Sequence, residues 1–334
     1  MGPVGIIANP ASGKDIRRLV AHASVFDNQE KANILRRAVR GAIAAGARDF
    51  LYMPDSHHLA ASAFEGLDEQ ARWSAVAVPG AASDLDTRRA AERMKEAGCA
   101  AVISLGGDGT NRALARGWPD APLVPISTGT NNVFPQLVEG TIAGAAAGLL
   151  ACGGVSLAAV SAQVKSIHVE IDDETDDLAL VDVVLVAQSF TGARALWEPE
   201  TLRAAVLARA EPAATGISAV GGLLCPTGDD EDRALVLRFG PGETCVRAPI
   251  APGLYREVAV REARTLALGE VVEIDGPGVL AFDGERERAL VAGRCARMRV
   301  LRDGPRVIDV PRALALAAHT GAFRTANVEV AARP

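Results

Sequence analysis

No two cysteines of this chain stand close enough in sequence to make the paired motif of a zinc or redox site. The five, Cys99, Cys152, Cys225, Cys245 and Cys295, are scattered and odd in number. They read as reduced, partly buried thiols of a cytoplasmic protein. Excess positive charge is lacking too: the formal net charge is -6 and the sequence pI is about 5.5. Such a chain has no general attraction for a nucleic acid polymer or an anionic membrane, so any phosphate site must be local and a small ligand suits it better. The opening MGPVGIIANPASGKD has no basic n-region and no long apolar h-region, so no secretory leader is expected. Position 6 is Ile6, which excludes a myristoylation signal on Gly2. Internal repeats and low-complexity linkers are absent as well.

One uncharged stretch, Thr141 to Val164, is long enough to span a bilayer. Its residues are mostly Ala and Gly, however, and Cys152-Gly153-Gly154 breaks its middle. A helix packed on a sheet, then a turn, then a strand is the expected outcome.

With 334 residues and 49% hydrophobic content, the chain can bury a sizeable core over two domains. Its first half alternates short apolar runs with helical periodicity. Strands are expected at 4–9, 49–54, 74–79, 100–105 and 123–127, with helices at 28–46, 57–66, 83–97, 110–116 and 132–150. That pattern predicts an α/β domain, a doubly wound parallel sheet, over residues 1–155. Beyond Gly154, β-branched alternation predicts an antiparallel, β-rich domain over 156–310, interrupted by a helix near 198–209. A helix and tail at 311–334 end the chain, with packing back on the first domain as one option. The acidic runs 172–177 and 228–232 read as solvated hairpin tips. A cleft between the domains is the default ligand site.

Three glycine-bearing turns fall at carboxyl ends of expected strands: NPASGKD at 9–15, GGDGTN at 106–111 and STGTNN at 127–132. Ligands bind at that edge of an open α/β sheet, and glycine lets backbone N–H groups approach an anion. A P-loop would need Ser or Thr at 15 and Gly at 8, where the chain has Asp15 and Ala8. GGDGTNR also lacks the last glycine of a dinucleotide-binding turn.

Asp108 admits two readings. It is an acidic residue at a helix start, ordinary as a cap; but Thr110 and Asn111 are already good caps, and a carboxylate beside a phosphate cradle needs a proton or Mg²⁺ to be tolerated. The second reading is phosphoryl transfer, with Asp108 as base toward a hydroxyl or as metal ligand. Lys14, Arg17 and Arg18 follow the first turn and either neutralise phosphate or face solvent, Lys14 being the better placed. His57 and His58, beside Asp55, read as loop or helix-cap residues, and Trp197 as a core or interdomain anchor.

The motifs NPASG at 9–13, GGDGTN at 106–111, PISTGTNN at 125–132 and FDGE at 282–285 come in the order of the superfamily containing NAD kinases and diacylglycerol or sphingosine kinases, which the chain resembles over nearly its whole length. NPASGKDIRRLVAHASVFDNQEKANILRRA, MPD at 53–55 and PISTGTNNVFP more closely resemble the acetoin catabolism protein X group, grouped with ATP-NAD kinases. In DNQEKAN, Glu30 and Lys31 belong to that likeness without an evident role.

The resemblance implies a phosphofructokinase-like first domain, ATP (or polyphosphate) as donor, Mg²⁺ or another divalent cation, and NAD as nominal acceptor. Asp108 matches the aspartate proposed to activate the ribose 2'-hydroxyl, surrounded by Gly106, Gly107, Gly109, Thr110 and Asn111 at the phosphates. Asn9, Ser12, Gly13 and Lys14 match one nucleotide-facing turn; Gly129, Thr130, Asn131 and Asn132 match another. Asp283 and Glu285 match the acidic triplet near the metal, with Glu285 the lipid-kinase variant of the DGQ usual in NAD kinases. Asp182 matches the acidic member of a substrate-gripping pair whose asparagine is here Val181. TGISAVGG at 215–222 is similar to an adenine-contacting stretch but lacks its tyrosine. A small-molecule kinase is thus expected, with a lipid kinase and a non-catalytic nucleotide-binding regulator as alternatives. The partners expected are a small-molecule nucleotide and further copies of the chain, as a dimer or tetramer.

Overall fold

The structure is a computed structural model that describes residues 1–13, 27–129, 131–187 and 198–324. Lys14, Arg17, Arg18, Thr130 and Trp197 lie outside the described residues. The chain begins β1 (Val4–Ala8), α1 (Asn28–Ala44), β2 (Asp49–Tyr52), α2 (Leu59–Ser62), β3 (Arg72–Ala75), α3 (Asp84–Glu96), β4 (Ala101–Gly106), α4 (Asp108–Gly117), β5 (Pro122–Ser127) and α5 (Gly140–Ala151). It continues α6 (Leu157–Val160), β6 (Ser161–Gln163), β7 (Ser166–Ile171), β8 (Asp177–Ala179), β9 (Asp182–Val186), β10 (Leu202–Leu207) and α7 (Ile217–Leu224). The remainder is β11 (Arg233–Ala251), β12 (Leu254–Ala267), β13 (Val271–Asp275), β14 (Gly278–Phe282), β15 (Glu285–Leu290), β16 (Cys295–Leu301), β17 (Arg306–Ile308) and α8 (Val310–Thr320).

The first sheet has the order β3-β2-β1-β4-β5-β17-β6, parallel except for β6. Strands β1, β4 and β5 are buried along their whole length, as a sheet covered on both faces requires. One face packs against α1, α2, α5 and α8, the other against α3 and α4. The uncharged Ala/Gly segment is α5, lying so close on α1 that a Cβ at Gly144 or Gly148 would overlap the carbonyl oxygens of Ala38 or Ala42. Small side chains there serve close helix packing, and no helix among the described residues is long and apolar enough to cross a membrane.

The second domain stacks a six-stranded sheet, β12-β11-β10-β9-β14-β15, on a four-stranded one, β13-β16-β7-β8, around a core including Ile167, Val206, Phe282 and Met298. The predicted α/β class, parallel sheet first and antiparallel β-rich domain second, is thus the architecture found.

Several local expectations are corrected. Residues 198–209 form a turn and then β10, not a helix; past the exposed Arg203 this central strand is apolar and buried on both faces, with no strand alternation to betray it. The helix expected at 132–150 starts only at Gly140, and that at 57–66 shrinks to α2. The first sheet also takes strands from beyond residue 155: β6 and β17 pair with each other and extend it from β5, and α8 packs its Val310, Ala313 and Ala317 into that sheet's core. Neither acidic run is simply solvated. Asp177 is buried and accepts an ion pair from Arg112 of α4 at 2.9 Å, with Arg116 and Arg288 at 3.4 and 3.3 Å. Asp229 sits 3.1 Å from the buried Arg209.

The domains are joined by two reciprocal contacts. Arg112 crosses from the first domain, donates Nε–H to the Leu178 carbonyl at 2.6 Å and lays its guanidinium 4.6 Å from the centre of the Phe282 ring. Arg209 crosses from the second and stands 5.2 Å from the centre of the Phe134 ring. Replacing Arg112 by Ala would leave Asp177 buried with weaker partners; a loss of about 3 kcal/mol is expected in urea unfolding, against less than about 1 kcal/mol for an exposed control such as Arg93→Ala.

Another buried cation, Lys165, donates to the Gly228 and Arg233 carbonyls at 2.7 Å each. Burial, assisted by repulsion from Arg209 and Arg302 and opposed by Asp229 and Glu231, pushes its ammonium down to about 8. Between that pH and the ordinary lysine value the unfolded chain holds a proton that the folded chain lacks, so stability rises with pH there. Melting curves at pH 7.5 and 9.5 should show wild type gaining relative to Lys165→Met.

Candidate functional site

Strands β1, β4 and β5 are neighbours in the sheet, so their carboxyl-end turns meet, and side chains bind them together. Asn9 Nδ2 donates to Thr110 Oγ1 at 3.0 Å, and its Oδ1 accepts from the Ala11 N–H at 2.9 Å. Thr128 Oγ1 donates to Ser12 Oγ at 3.0 Å, and Asn132 Nδ2 to Ser127 Oγ at 2.8 Å. These turns form one wall of a cleft of about 640 Å³ between the domains. Its lining includes Asn9, Ser12, Gly13, Gly107, Asp108, Gly109, Thr110, Gly129, Asn131 and Asn132 from the sequence-expected set.

Two residues of the expected set, Gly106 and Asn111, do not line the cleft. Asn111 is fully buried, accepts from Ser104 Oγ at 2.6 Å and donates to the Gly107 carbonyl at 2.9 Å, bracing the turn from behind. A polar side chain facing inward from a helix start is indistinguishable in sequence from one facing a ligand.

Asp108 opens α4, with Gly107 as its N-cap. Its carboxylate does not cap its own helix. It accepts N–H bonds from Val133 at 3.1 Å and Phe134 at 2.8 Å through Oδ1, with a longer one from Val133 at 3.2 Å through Oδ2, tying the β4 turn to the loop after β5. A Cβ at Gly109 would lie 2.7 Å from Glu285 Oε1, the movable end of that side chain. Glu285, half-buried at the start of β15, therefore lies against the start of Asp108's helix and borders the cleft.

From the second domain come Val181, Asp182, Thr215, Gly216, Ile217 and Asp283. Thr215 Oγ1 donates to Asn131 Oδ1 at 2.7 Å, closing the cleft between domains. Asp283, expected near the metal, braces the backbone of its own domain. In the left-handed region at φ 47°, it turns its carboxylate onto the N–H groups of Leu180, Val181 and Asp182 at 2.8–3.2 Å. Burial pushes its carboxyl up to about 6 against the pull of Arg112 and those N–H groups. Among the described residues no group of three or more His, Cys, Asp or Glu is arranged to hold a metal. An all-protein cage does not fit; a single outlying carboxylate, Glu285, suits a Mg²⁺ that keeps water and phosphate oxygens as its other ligands.

The cleft extends past β2 and β3 to Met53, His57, Val78 and Thr87. Asp55 caps that loop by accepting from His57, Leu59 and Ala60, so DSHH is a helix cap, while His57 borders the cleft. Asp86 accepts from the N–H groups of Gly80, Ala81 and Ala82 in the same manner. Sequence reasoning missed Asp86 and Thr215, both inconspicuous in polar stretches, and gave no role to Lys31, whose ammonium lies behind the first turn.

Fold and cleft define a two-domain α/β protein with interlocked glycine turns at the domain boundary, and residues 4–155 match the ATP-NAD kinase N-terminal domain. Residues 165–303 match the acetoin catabolism protein X C-terminal domain. The chain belongs to the acetoin catabolism protein X family: it is 40% identical over 303 residues to the acetoin catabolism protein X of Cupriavidus necator, covering 86% of this chain and 84% of that one. Among solved structures, a yeast NADH kinase complexed with NADH aligns with TM-score 0.47 and 11% identity, over 98% of this chain and 89% of the other. A protein described as a diacylglycerol kinase of Bacillus anthracis aligns with TM-score 0.46 and 11% identity, over 92% and 98%.

Gly109→Ala tests the Glu285 contact. Helix propensity favours alanine, so the melting temperature should hold or rise. Displacing Glu285 should weaken nucleotide binding or turnover by about tenfold or more, measured by calorimetry and initial rates.

Proposed function

We propose that the chain is a phosphotransferase that moves the terminal phosphoryl group of ATP to an alcohol hydroxyl, with NAD as nominal acceptor and a place in acetoin catabolism. The observation that carries this reading is Asp108, fixed between two interlocked glycine turns, with Glu285 against the same helix start, in a cleft large enough for a nucleotide. The ATP-NAD kinase N-terminal domain spanning the same turns supports it. In the reaction the bond from the γ-phosphorus to the ADP oxygen breaks and a bond to the acceptor oxygen forms. The acceptor's proton leaves toward the carboxylate of Asp108. Backbone N–H groups of the turns hold the phosphates in line. A divalent cation bound with the nucleotide would neutralise charge there, with Glu285 as its protein ligand.

One observation favours a second reading, a nucleotide-binding regulator without turnover. Asp108 already accepts two backbone N–H groups, bonds a base must share with its substrate. The two are separated by incubating pure protein with ATP, Mg²⁺ and NAD or a panel of polyols and following labelled phosphate. The kinase reading expects product, reduced at least about a hundredfold by Asp108→Asn. Thermal stabilisation by ATP or NAD without product from any acceptor would establish the regulator.

A further inference from the structure

Lys31, in the first turn of α1, is wholly buried. Its ammonium donates to the carbonyl oxygens of Ser12 at 2.6 Å, Pro10 at 2.8 Å and Asn9 at 3.4 Å, and to Asn28 Oδ1 at 3.3 Å. A buried ammonium is tolerated only when its donors are satisfied, and here backbone carbonyls of one turn satisfy them. The consequence runs through the peptide planes. In a trans peptide the carbonyl and the next N–H point to opposite sides, so drawing the Ser12 carbonyl onto Lys31 directs the Gly13 N–H away from it. Gly13 borders the cleft, and its φ of 71° is one that glycine adopts without strain.

Charge gives the same answer. The described lining carries Asp55, Asp84, Asp86, Asp108, Asp182, Asp283 and Glu285. An anionic ligand in such a cleft gains from oriented N–H groups and from positive charge held behind them.

We infer that Lys31 is the positioning residue of the donor subsite: without touching the ligand, it sets the 9–13 turn in the form that receives the polyphosphate of the donor and places a cation behind it. This rests on the kinase reading for the identity of the donor, and on geometry alone for the clamp.

The test uses full-length Lys31→Met and Lys31→Arg beside Ile34→Ala, a core change on the same helix that matches a loss of thermal stability. Three quantities are read: amide exchange over residues 9–13, calorimetric binding of ATP with Mg²⁺, and KM for ATP against KM for the acceptor. The expected result for Lys31→Met is faster exchange at residues 11–13, ATP affinity down at least tenfold and KM for ATP raised, with acceptor KM within twofold; Ile34→Ala leaves all of these near wild type. Should Lys31→Met fail to fold, Lys31→Arg, which keeps the charge but cannot reproduce the ammonium's fit among the carbonyls, is expected to show the same pattern. Wild-type exchange and ATP affinity in a folded Lys31 variant overturn the inference, as does an equal loss in Ile34→Ala. If wild type itself binds no ATP, the kinase reading fails and the donor role fails with it, while exchange over 9–13 still decides whether Lys31 holds the turn.

Discussion

Much of the border of the cleft is folded around an ion that takes its hydrogen bonds from the backbone, and the site depends on this exchange. Asp55, Asp86, Asp108 and Asp283 each gather N–H groups of a loop, and Lys31 gathers carbonyls. A buried or half-buried charge is costly to expose to a weaker partner, so each loop is held in one conformation by an electrostatic rather than an apolar constraint. This is how a protein can place glycine-rich segments, which lose the most backbone freedom on folding, accurately enough to present N–H groups to a ligand.

The same economy appears at the boundary between domains. Each domain sends an arginine onto an aromatic ring of the other, Arg112 onto Phe282 and Arg209 onto Phe134. Both rings adjoin a carboxylate of the cleft: Phe134 donates its N–H to Asp108, and Phe282 immediately precedes Asp283. The contacts that fix the relative placement of the domains are therefore one residue removed from the acidic groups of the site.

Much of this was legible in the sequence. The parallel sheet followed from apolar runs spaced by helical segments, and the three turns from glycine at strand ends. The acidic triplet was found, but not its division of labour: Asp283 and Glu285 are two residues apart, yet one folds the backbone and the other faces the cleft, a difference set by a left-handed φ that sequence does not announce. Strand β10 was misread because burial on both faces erases alternation. Lys31 stayed opaque because a lysine in a helical first turn is ordinarily solvated, and only the three-dimensional return of the turn over it reveals otherwise. Asp177 was obscured by its acidic neighbours for the same kind of reason.

The strands β6 and β17 carry the chain out of the first sheet and back into it side by side, paired to each other and, through β17, to Leu123 of β5. The β-rich domain is thus an insertion within a continuous α/β scaffold, not an appendix to it. The two parts are not separable modules: a fragment ending at residue 155 would lose β17 from the flank of β5 and leave an open sheet edge, the kind of surface along which unfinished β structures join one another.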